Sequence, residues 1–145
     1  MQELHDRADV VLLTHYLIES DFSAKHPKAV GRALDDAVNA AGAKPVMFLE
    51  FGYPTASLLD GSEEQQAAFV EATFTAWDRH VDAIPLIEFT WSSDAADATI
   101  DSYRDYYGIA DDRFAAYLGS IGFIRQDGTP KPALDALTTN IATRR

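Results

Sequence analysis

The sequence contains no cysteine, few positive charges and no long apolar run. Without cysteine there is neither a disulfide framework nor a thiolate metal site. The formal net charge of −11 argues against a phosphate-binding surface, so nucleic acid is not an expected partner. No apolar run approaches the ~20 residues of a membrane span, and residues 1–9 lack the apolar core of a signal peptide. We therefore expect a soluble protein with no membrane partner; the sequence leaves its compartment open.

Several familiar catalytic motifs are also missing. The histidines have no metal-ligand spacing, and neither a G-x-G-x-x-G loop nor a phosphate-binding P-loop occurs. Residues 119–122, GSIG, are one residue short of the G-x-S-x-G motif that carries a nucleophilic serine. We therefore expect no metal and no cofactor.

Residues 44–55, KPVMFLEFGYPT, are the most informative stretch. An apolar run bounded by proline and glycine predicts a buried strand, and strands of this kind belong to parallel α/β sheets. The run ends on a carboxylate, Glu50. Enzymes with parallel sheets carry their chemistry at the carboxyl ends of the strands, which is where Glu50 would lie.

The rest of the chain alternates strand and helix patterns. Strands are predicted over residues 9–18 and 83–91, on either side of the central strand in sequence. An apolar stripe at helical spacing covers residues 30–41, and Ser62 followed by Gln65 indicates the start of a second helix. Such β-α-β-α-β alternation predicts a parallel sheet with right-handed crossovers. Further short helices are predicted over residues 98–107, over 112–118 and from residue 132, all in one α/β unit spanning residues 1–145.

The three predicted strands end in polar or aromatic side chains that a parallel sheet would bring to one edge. These are His15 and Tyr16, then Glu50, then Trp91. An aromatic ring can stack on the apolar face of a sugar while a carboxylate acts at the anomeric carbon. Taken singly, each residue also fits an ordinary strand end or a core position. Glu88 is one residue out of phase with Trp91, which predicts a buried or ion-paired carboxylate without a catalytic role.

Five segments in this order resemble one enzyme family. They are ADVVLLTHY, KPVMFLEFGYPT, SEEQQAAFVEATFTAW, IPLIEFTW and YLGSIGFIRQDGTPKPALDAL. Together, over roughly residues 8–142, they resemble the last three βα units of the clan A glycoside hydrolases, which are (β/α)8 barrels that cleave glycosidic bonds with retention. The most specific parts are E-F-G-Y-P after the central strand and the G-x-I-R-x-D-G-T-P-K-P-A-L segment.

This resemblance implies a fold and a set of roles. The fold would be α/β, a partial TIM (β/α)8 barrel, and the activity hydrolysis of a polysaccharide or oligosaccharide. Glu50 matches the family's nucleophile, and His15 and Tyr16 match a position that lines the sugar subsite. Trp91 matches an aromatic platform, with Phe89 as an alternative alignment, and Tyr53 of the E-F-G-Y-P turn would also contact substrate.

One departure from the family pattern matters for activity. The family's acid/base glutamate follows an asparagine, but Asn39 and Asn140 are followed by Ala40 and Ile141. Retaining hydrolysis needs a second carboxyl group about 5–5.5 Å from the nucleophile, and a whole barrel needs about 250 residues. We therefore expect little activity from this chain alone.

The missing part of the barrel also implies a partner. We expect either an N-terminal barrel half or self-association to cover barrel-facing side chains, among them Val46 and Phe48. Two alternatives to a hydrolase remain: a non-catalytic carbohydrate-binding or structural α/β module, and a small independent α/β sandwich.

Overall fold

The computed structural model describes residues 7–89 and 91–144 and confirms the α/β class. Three parallel strands form one sheet in the order β1 (Val11–Tyr16), β2 (Val46–Gly52) and β3 (Leu86–Ile87). The helices are α1 (Val30–Ala41), α2 (Glu63–Trp77), α3 (Asp97–Tyr107), α4 (Asp112–Leu118) and α5 (Pro132–Thr143). Helices α1 and α2 connect the strands, as the alternating pattern predicts.

Local sequence signals account for the ends of several helices. Gly42 ends α1 with φ +67°, a left-handed value that glycine adopts without steric penalty. The Ser62 hydroxyl accepts the Gln65 backbone N–H at 3.2 Å and so caps α2 as predicted. Gly108 ends α3 at φ +65°, and Pro132 occupies the first turn of α5.

In the described part of the chain, helices α1, α2 and α5 cover one face of the sheet. Val46 and Phe48 are buried on that face in the main hydrophobic core, which includes residues of α1, α2 and α5. The expectation that these two side chains face a barrel interior is therefore wrong. The opposite face carries Leu12, Met47 and Leu86 side by side in register, and Leu12 and Leu86 are exposed. We call these three residues the open face.

The third strand is much shorter than predicted. Of residues 83–91, only Leu86 and Ile87 form the strand, and Thr90 lies outside the described residues. Pro85 has no backbone N–H to donate, and the Ile84 carbonyl accepts the Trp77 indole N–H at 2.6 Å instead of a strand partner. The segment therefore forms a hydrogen bond to Trp77 of α2 and also pairs with β2 in the sheet.

A second hydrophobic cluster lies beyond the carboxyl ends of the strands. Its buried members include Leu59, Ile100, Phe114, Tyr117 and Leu118, largely from α3 and α4. Tyr16 and Trp91, at the carboxyl edge of the sheet, pack against this cluster. Among the described residues, no helix is long and apolar enough to cross a bilayer.

Candidate functional site

A β-bulge positions Glu50 at the carboxyl edge of the sheet. The pairing of β1 with β2 passes from Leu13 opposite Phe48 directly to Thr14 opposite Glu50, so β2 contains one extra residue at this point. Beyond the bulge, Tyr16 pairs with Gly52. Bulges of this kind often lie next to active sites, where they redirect a side chain. Here the bulge places Glu50 and Tyr16 within hydrogen-bonding distance.

Glu50, Tyr16 and Trp91 form a chain of hydrogen bonds. The Tyr16 hydroxyl donates to Glu50 Oε2 at 2.9 Å, and Trp91 Nε1 donates to the Tyr16 hydroxyl at 3.2 Å. All three side chains are partly buried. A phenol that donates to a carboxylate while it accepts from an indole is held in one orientation. The structure thus brings together three of the residues singled out from the sequence.

Two tyrosines of this edge have raised pKa values. Burial raises the pKa of Tyr16 to about 12; the Trp91 hydrogen bond opposes this shift, whereas Glu50 reinforces it. Tyr117 packs edge-on against the Tyr16 ring, with centroids 5.3 Å apart. Burial, together with the neighbouring Tyr16, raises the pKa of Tyr117 well above its usual value. Both phenols therefore keep their protons at neutral pH and act as hydrogen-bond donors.

His15 lies on the other side of the sheet from Tyr16. Neighbouring residues in a strand point to opposite faces, and the His15 ring contacts Phe51 at 5.6 Å and Phe48 at 6.4 Å between centroids. Its Nε2 atom is buried without a hydrogen-bond partner, and burial lowers the pKa of His15, with Lys25 contributing. The structure does not bring His15 to Glu50.

Tyr53 also lies away from Glu50. Its side chain is buried, its ring stacks on Phe69 with centroids 5.3 Å apart, and its hydroxyl donates to the Lys25 carbonyl at 2.8 Å. Burial raises the pKa of Tyr53 to about 12. These contacts anchor the segment after β1 to the turn after β2, which is a structural role.

The remaining residues of the third predicted strand separate into two environments. Phe89 packs into the main core against Phe51, Phe74 and Phe123, which leaves Trp91 as the aromatic side chain at the edge. Glu88 is exposed, so the buried environment expected for it is not observed.

A buried ion pair near this edge is not evident from the sequence. Lys131 Nζ lies 2.7 Å from Asp94 Oδ1 and also donates to Thr55 Oγ1 at 3.1 Å and to the Ser120 carbonyl at 3.0 Å. Asp94 accepts the Gly122 N–H at 2.9 Å. Burial raises the pKa of Asp94 and lowers that of Lys131, against the attraction within the pair.

This ion pair connects the segments that surround the second cluster. No local sequence signal distinguishes Lys131 from a solvated surface lysine, because its partners are between 11 and 76 residues away. Tyr117 was also missed, although its position beside Leu118 on a short apolar helix indicates a buried side chain. Within residues 7–89 and 91–144, no group of three or more histidine, aspartate or glutamate side chains could hold a metal ion.

Comparisons with known proteins show a fold likeness and no family. No family model matches the chain, and no curated protein matches it. A solved structure, the GH2 beta-galacturonidase from Eisenbergiella tayi bound to glycerol, is similar with a TM-score of 0.59 and 16% sequence identity. The match covers 93% of this chain and 24% of that protein, so the chain spans about a quarter of its length. At this identity the likeness shows the fold alone.

These comparisons correct the assignment made from sequence motifs. The identification of the chain as the C-terminal portion of a clan A barrel is wrong by these findings, since no family model matches and the similar structure is that of a GH2 enzyme. A short motif at a strand end and turn, such as E-F-G-Y-P, meets local backbone requirements and does not by itself define a family. What the findings support is an α/β unit similar in fold to part of a GH2 glycoside hydrolase.

Proposed function

We propose that this chain forms part of a glycoside hydrolase in which Glu50 acts on the anomeric carbon of a sugar. The observation that carries the proposal is the 2.9 Å hydrogen bond from the Tyr16 hydroxyl to Glu50 Oε2 at the carboxyl edge of a parallel sheet. Active sites of α/β enzymes lie at this edge. The fold likeness to part of a beta-galacturonidase supports the same class of chemistry.

The hydrogen bonds suit Glu50 to the role of nucleophile. Trp91 donates to the Tyr16 oxygen, so the Tyr16 proton is directed to Glu50 Oε2. The carboxylate is thereby held in one orientation for attack. Its oxygen forms a bond to the anomeric carbon as the glycosidic C–O bond breaks, and water then hydrolyses the resulting glycosyl ester. Trp91 and Tyr16 supply aromatic surface for the sugar ring.

The departing sugar oxygen needs a proton from a second carboxyl group about 5–5.5 Å from Glu50. We propose that this group comes from another part of the protein, which also covers the open face formed by Leu12, Met47 and Leu86. The partner proposed for this chain is thus a further set of strands, as the sequence analysis expected. The described chain alone should then cleave only substrates whose leaving group needs no proton.

The substrate we propose is a neutral polysaccharide or oligosaccharide. The substrate of a beta-galacturonidase carries a carboxylate, which a binding site would match with a positive charge. Tyr16, Trp91 and Tyr117 provide none, and the chain has a formal net charge of −11. Uncharged sugars fit this environment better than uronic acids.

Glu50→Ala tests the nucleophile with 2,4-dinitrophenyl glycosides of glucose, galactose, mannose and xylose. The dinitrophenolate group leaves without protonation, so the missing acid does not prevent the reaction. We expect slow release of dinitrophenolate by the natural chain from at least one glycoside and a loss of at least about 100-fold in Glu50→Ala. Azide should restore release in this variant and give a glycosyl azide of inverted configuration, which identifies a nucleophile.

Glu88→Ala is the matched control, because Glu88 is an exposed carboxylate following the neighbouring strand β3. It should keep the natural rate and should not form glycosyl azide. If Glu50→Ala reacts as fast as the natural chain, Glu50 is not the nucleophile. Sugar binding without turnover in either protein would instead favour a non-catalytic carbohydrate-binding module.

A further inference from the structure

Helix α3 extends the aromatic surface away from Glu50. Trp91 contacts Tyr103 with ring centroids 6.2 Å apart, and Tyr103 is nearly parallel to Tyr107 at 6.1 Å. Tyr107 in turn meets Tyr106 edge-on at 4.8 Å. The rings thus run without interruption from the Tyr16–Glu50 hydrogen bond to the end of α3.

The outer rings of this series are open to solvent. Tyr106 is 80% exposed and Tyr107 is 57% exposed. A shallow cleft of about 550 Å³, lined by Ala98, Thr99, Ser102, Tyr103 and Tyr106, lies along the same helix. We call it the tyrosine cleft. Its volume is within the range of about 300–1,000 Å³ typical of small-molecule sites.

The chemistry of this surface matches a neutral sugar. Aromatic faces stack on the C–H groups of a sugar ring, and the hydroxyls of Thr99 and Ser102 can exchange hydrogen bonds with sugar hydroxyls. Asp101 and Asp105 of the same helix are exposed but line a neighbouring cleft beside Arg104, so the five residues of the tyrosine cleft include no charged side chain. Because the lining combines two aromatic rings with two hydroxyls and carries no charge, it favours a polar, uncharged ligand over an anion or a purely apolar partner.

We propose that the tyrosine cleft binds sugar units of a neutral oligosaccharide that extends outward from the bond held at Glu50. This inference rests on the proposed function and adds a second part to the site. It makes the substrate a chain of several sugars, since a single sugar at Glu50 would not reach Tyr106. The continuity of rings from Trp91 to Tyr106 defines the direction of the bound chain.

Isothermal titration with four hexasaccharides tests this proposal: cellohexaose, xylohexaose, mannohexaose and laminarihexaose. We expect at least one of them to bind the natural chain. Tyr106→Ala should weaken that binding about tenfold, because stacking on the ring is lost. Tyr106→Phe is the matched control and should bind like the natural chain, since it keeps the ring. Binding of the corresponding disaccharide should be the same in all three proteins.

The outcomes separate this inference from the proposed function. Hexasaccharide binding that depends on Tyr106, without dinitrophenyl glycoside turnover, supports the tyrosine cleft while the catalytic proposal fails. Turnover with unchanged hexasaccharide affinity in Tyr106→Ala overturns the proposal that the tyrosine cleft binds sugar. It is also overturned if no hexasaccharide binds, or if Tyr106→Ala only changes the solution mass, which would identify a protein interface. Tyr106 is exposed, so the substitution should leave folding intact.

Discussion

Gly52 lies directly beneath the Tyr16 ring. A Cβ atom on Gly52 would be 2.8 Å from Tyr16 Cε1 and 3.0 Å from Tyr16 Cδ1. Because Gly52, opposite Tyr16 on β2, has no side chain, the Tyr16 ring can occupy this space and its hydroxyl can donate to Glu50. The bulge and this glycine together determine the geometry of the candidate site.

Gly52→Ala should displace Tyr16 and disrupt its hydrogen bonds to Glu50 and Trp91. Overpacking of this kind lowers the free energy of unfolding by about 1–3 kcal/mol, measured by urea denaturation. Gly31→Ala is the matched control. A Cβ at Gly31 meets only ordinary contacts with Arg79 and Ala76, so alanine in this helix should raise stability by about 0.5–1 kcal/mol. A Gly52→Ala protein as stable as the natural chain would contradict the close packing.

Tyr16→Phe should change the environment of Trp91 and leave that of Trp77 unchanged. The chain has two tryptophans; Trp91 Nε1 donates to Tyr16, whereas Trp77 Nε1 donates to the Ile84 carbonyl. In a ¹⁵N–¹H NMR spectrum, the Trp91 indole signal should therefore shift and the Trp77 signal should stay in place. Trp91→Phe assigns the two signals. An unshifted Trp91 signal in Tyr16→Phe would show that the hydrogen bond is not formed in solution.

Lys131→Met should destabilise the fold strongly, because it leaves Asp94 buried without its cation. The two side chains of this pair are 1% and 8% exposed. Loss of one partner from a buried pair costs about 3–5 kcal/mol, which lowers the melting temperature of a domain this size by roughly 10 °C. Arg32→Met, which breaks the exposed pair with Asp36, should change stability by less than about 1 kcal/mol. Equal melting temperatures would contradict a structural role for Lys131.

His15 should make the protein less stable in mild acid. Burial lowers its pKa below the usual 6.5, so the unfolded chain binds this proton more readily than the folded one. The native state therefore has its full stability with respect to His15 above pH 6.5, where the imidazole is neutral in both states. This stability decreases as the pH falls from 6.5 through the lower pKa of the folded state. His15→Phe should therefore reduce the pH dependence of unfolding between about pH 5 and 7. His26→Gln, at an exposed histidine, serves as the control. A pH dependence unchanged in His15→Phe would contradict this account.

The open face should make the chain associate when no other strands cover it. Leu12 and Leu86 are 54% and 39% exposed there. We expect a light-scattering mass above 15.9 kDa that falls towards this value in a Leu12→Glu, Leu86→Glu variant. Val81→Glu, at an exposed valine in a turn, should keep the natural mass. A natural chain that is monomeric at all concentrations would favour a small independent domain.

Much of the fold could be predicted because its signals are short-range. The apolar stripe of α1, the Ser62 cap of α2 and the glycine that ends α3 each depend on residues within a few positions of one another. The position of Glu50 near the end of a parallel strand follows from the same kind of signal. The catalytic and substrate-binding roles of the candidate residues stay predictions.

Other features depend on how the elements pack. Periodicity shows that His15 and Tyr16 point to opposite faces, but not which face the helices cover. The start of β3 is limited by Pro85, which the sequence shows, and by the Trp77 hydrogen bond, which depends on tertiary packing.

The sequence by itself therefore determined the α/β alternation, the helix ends and the candidate carboxylate. Tertiary structure alone decided which side chains meet: Tyr16 with Glu50 across 34 residues, Trp91 with Tyr16 across 75, and Lys131 with Asp94 across 37. The physical reason is that backbone periodicity and capping act between neighbours in the chain. Contacts between distant residues depend instead on burial, on the bulge in β2 and on the space left above Gly52, which exist only once the elements have packed.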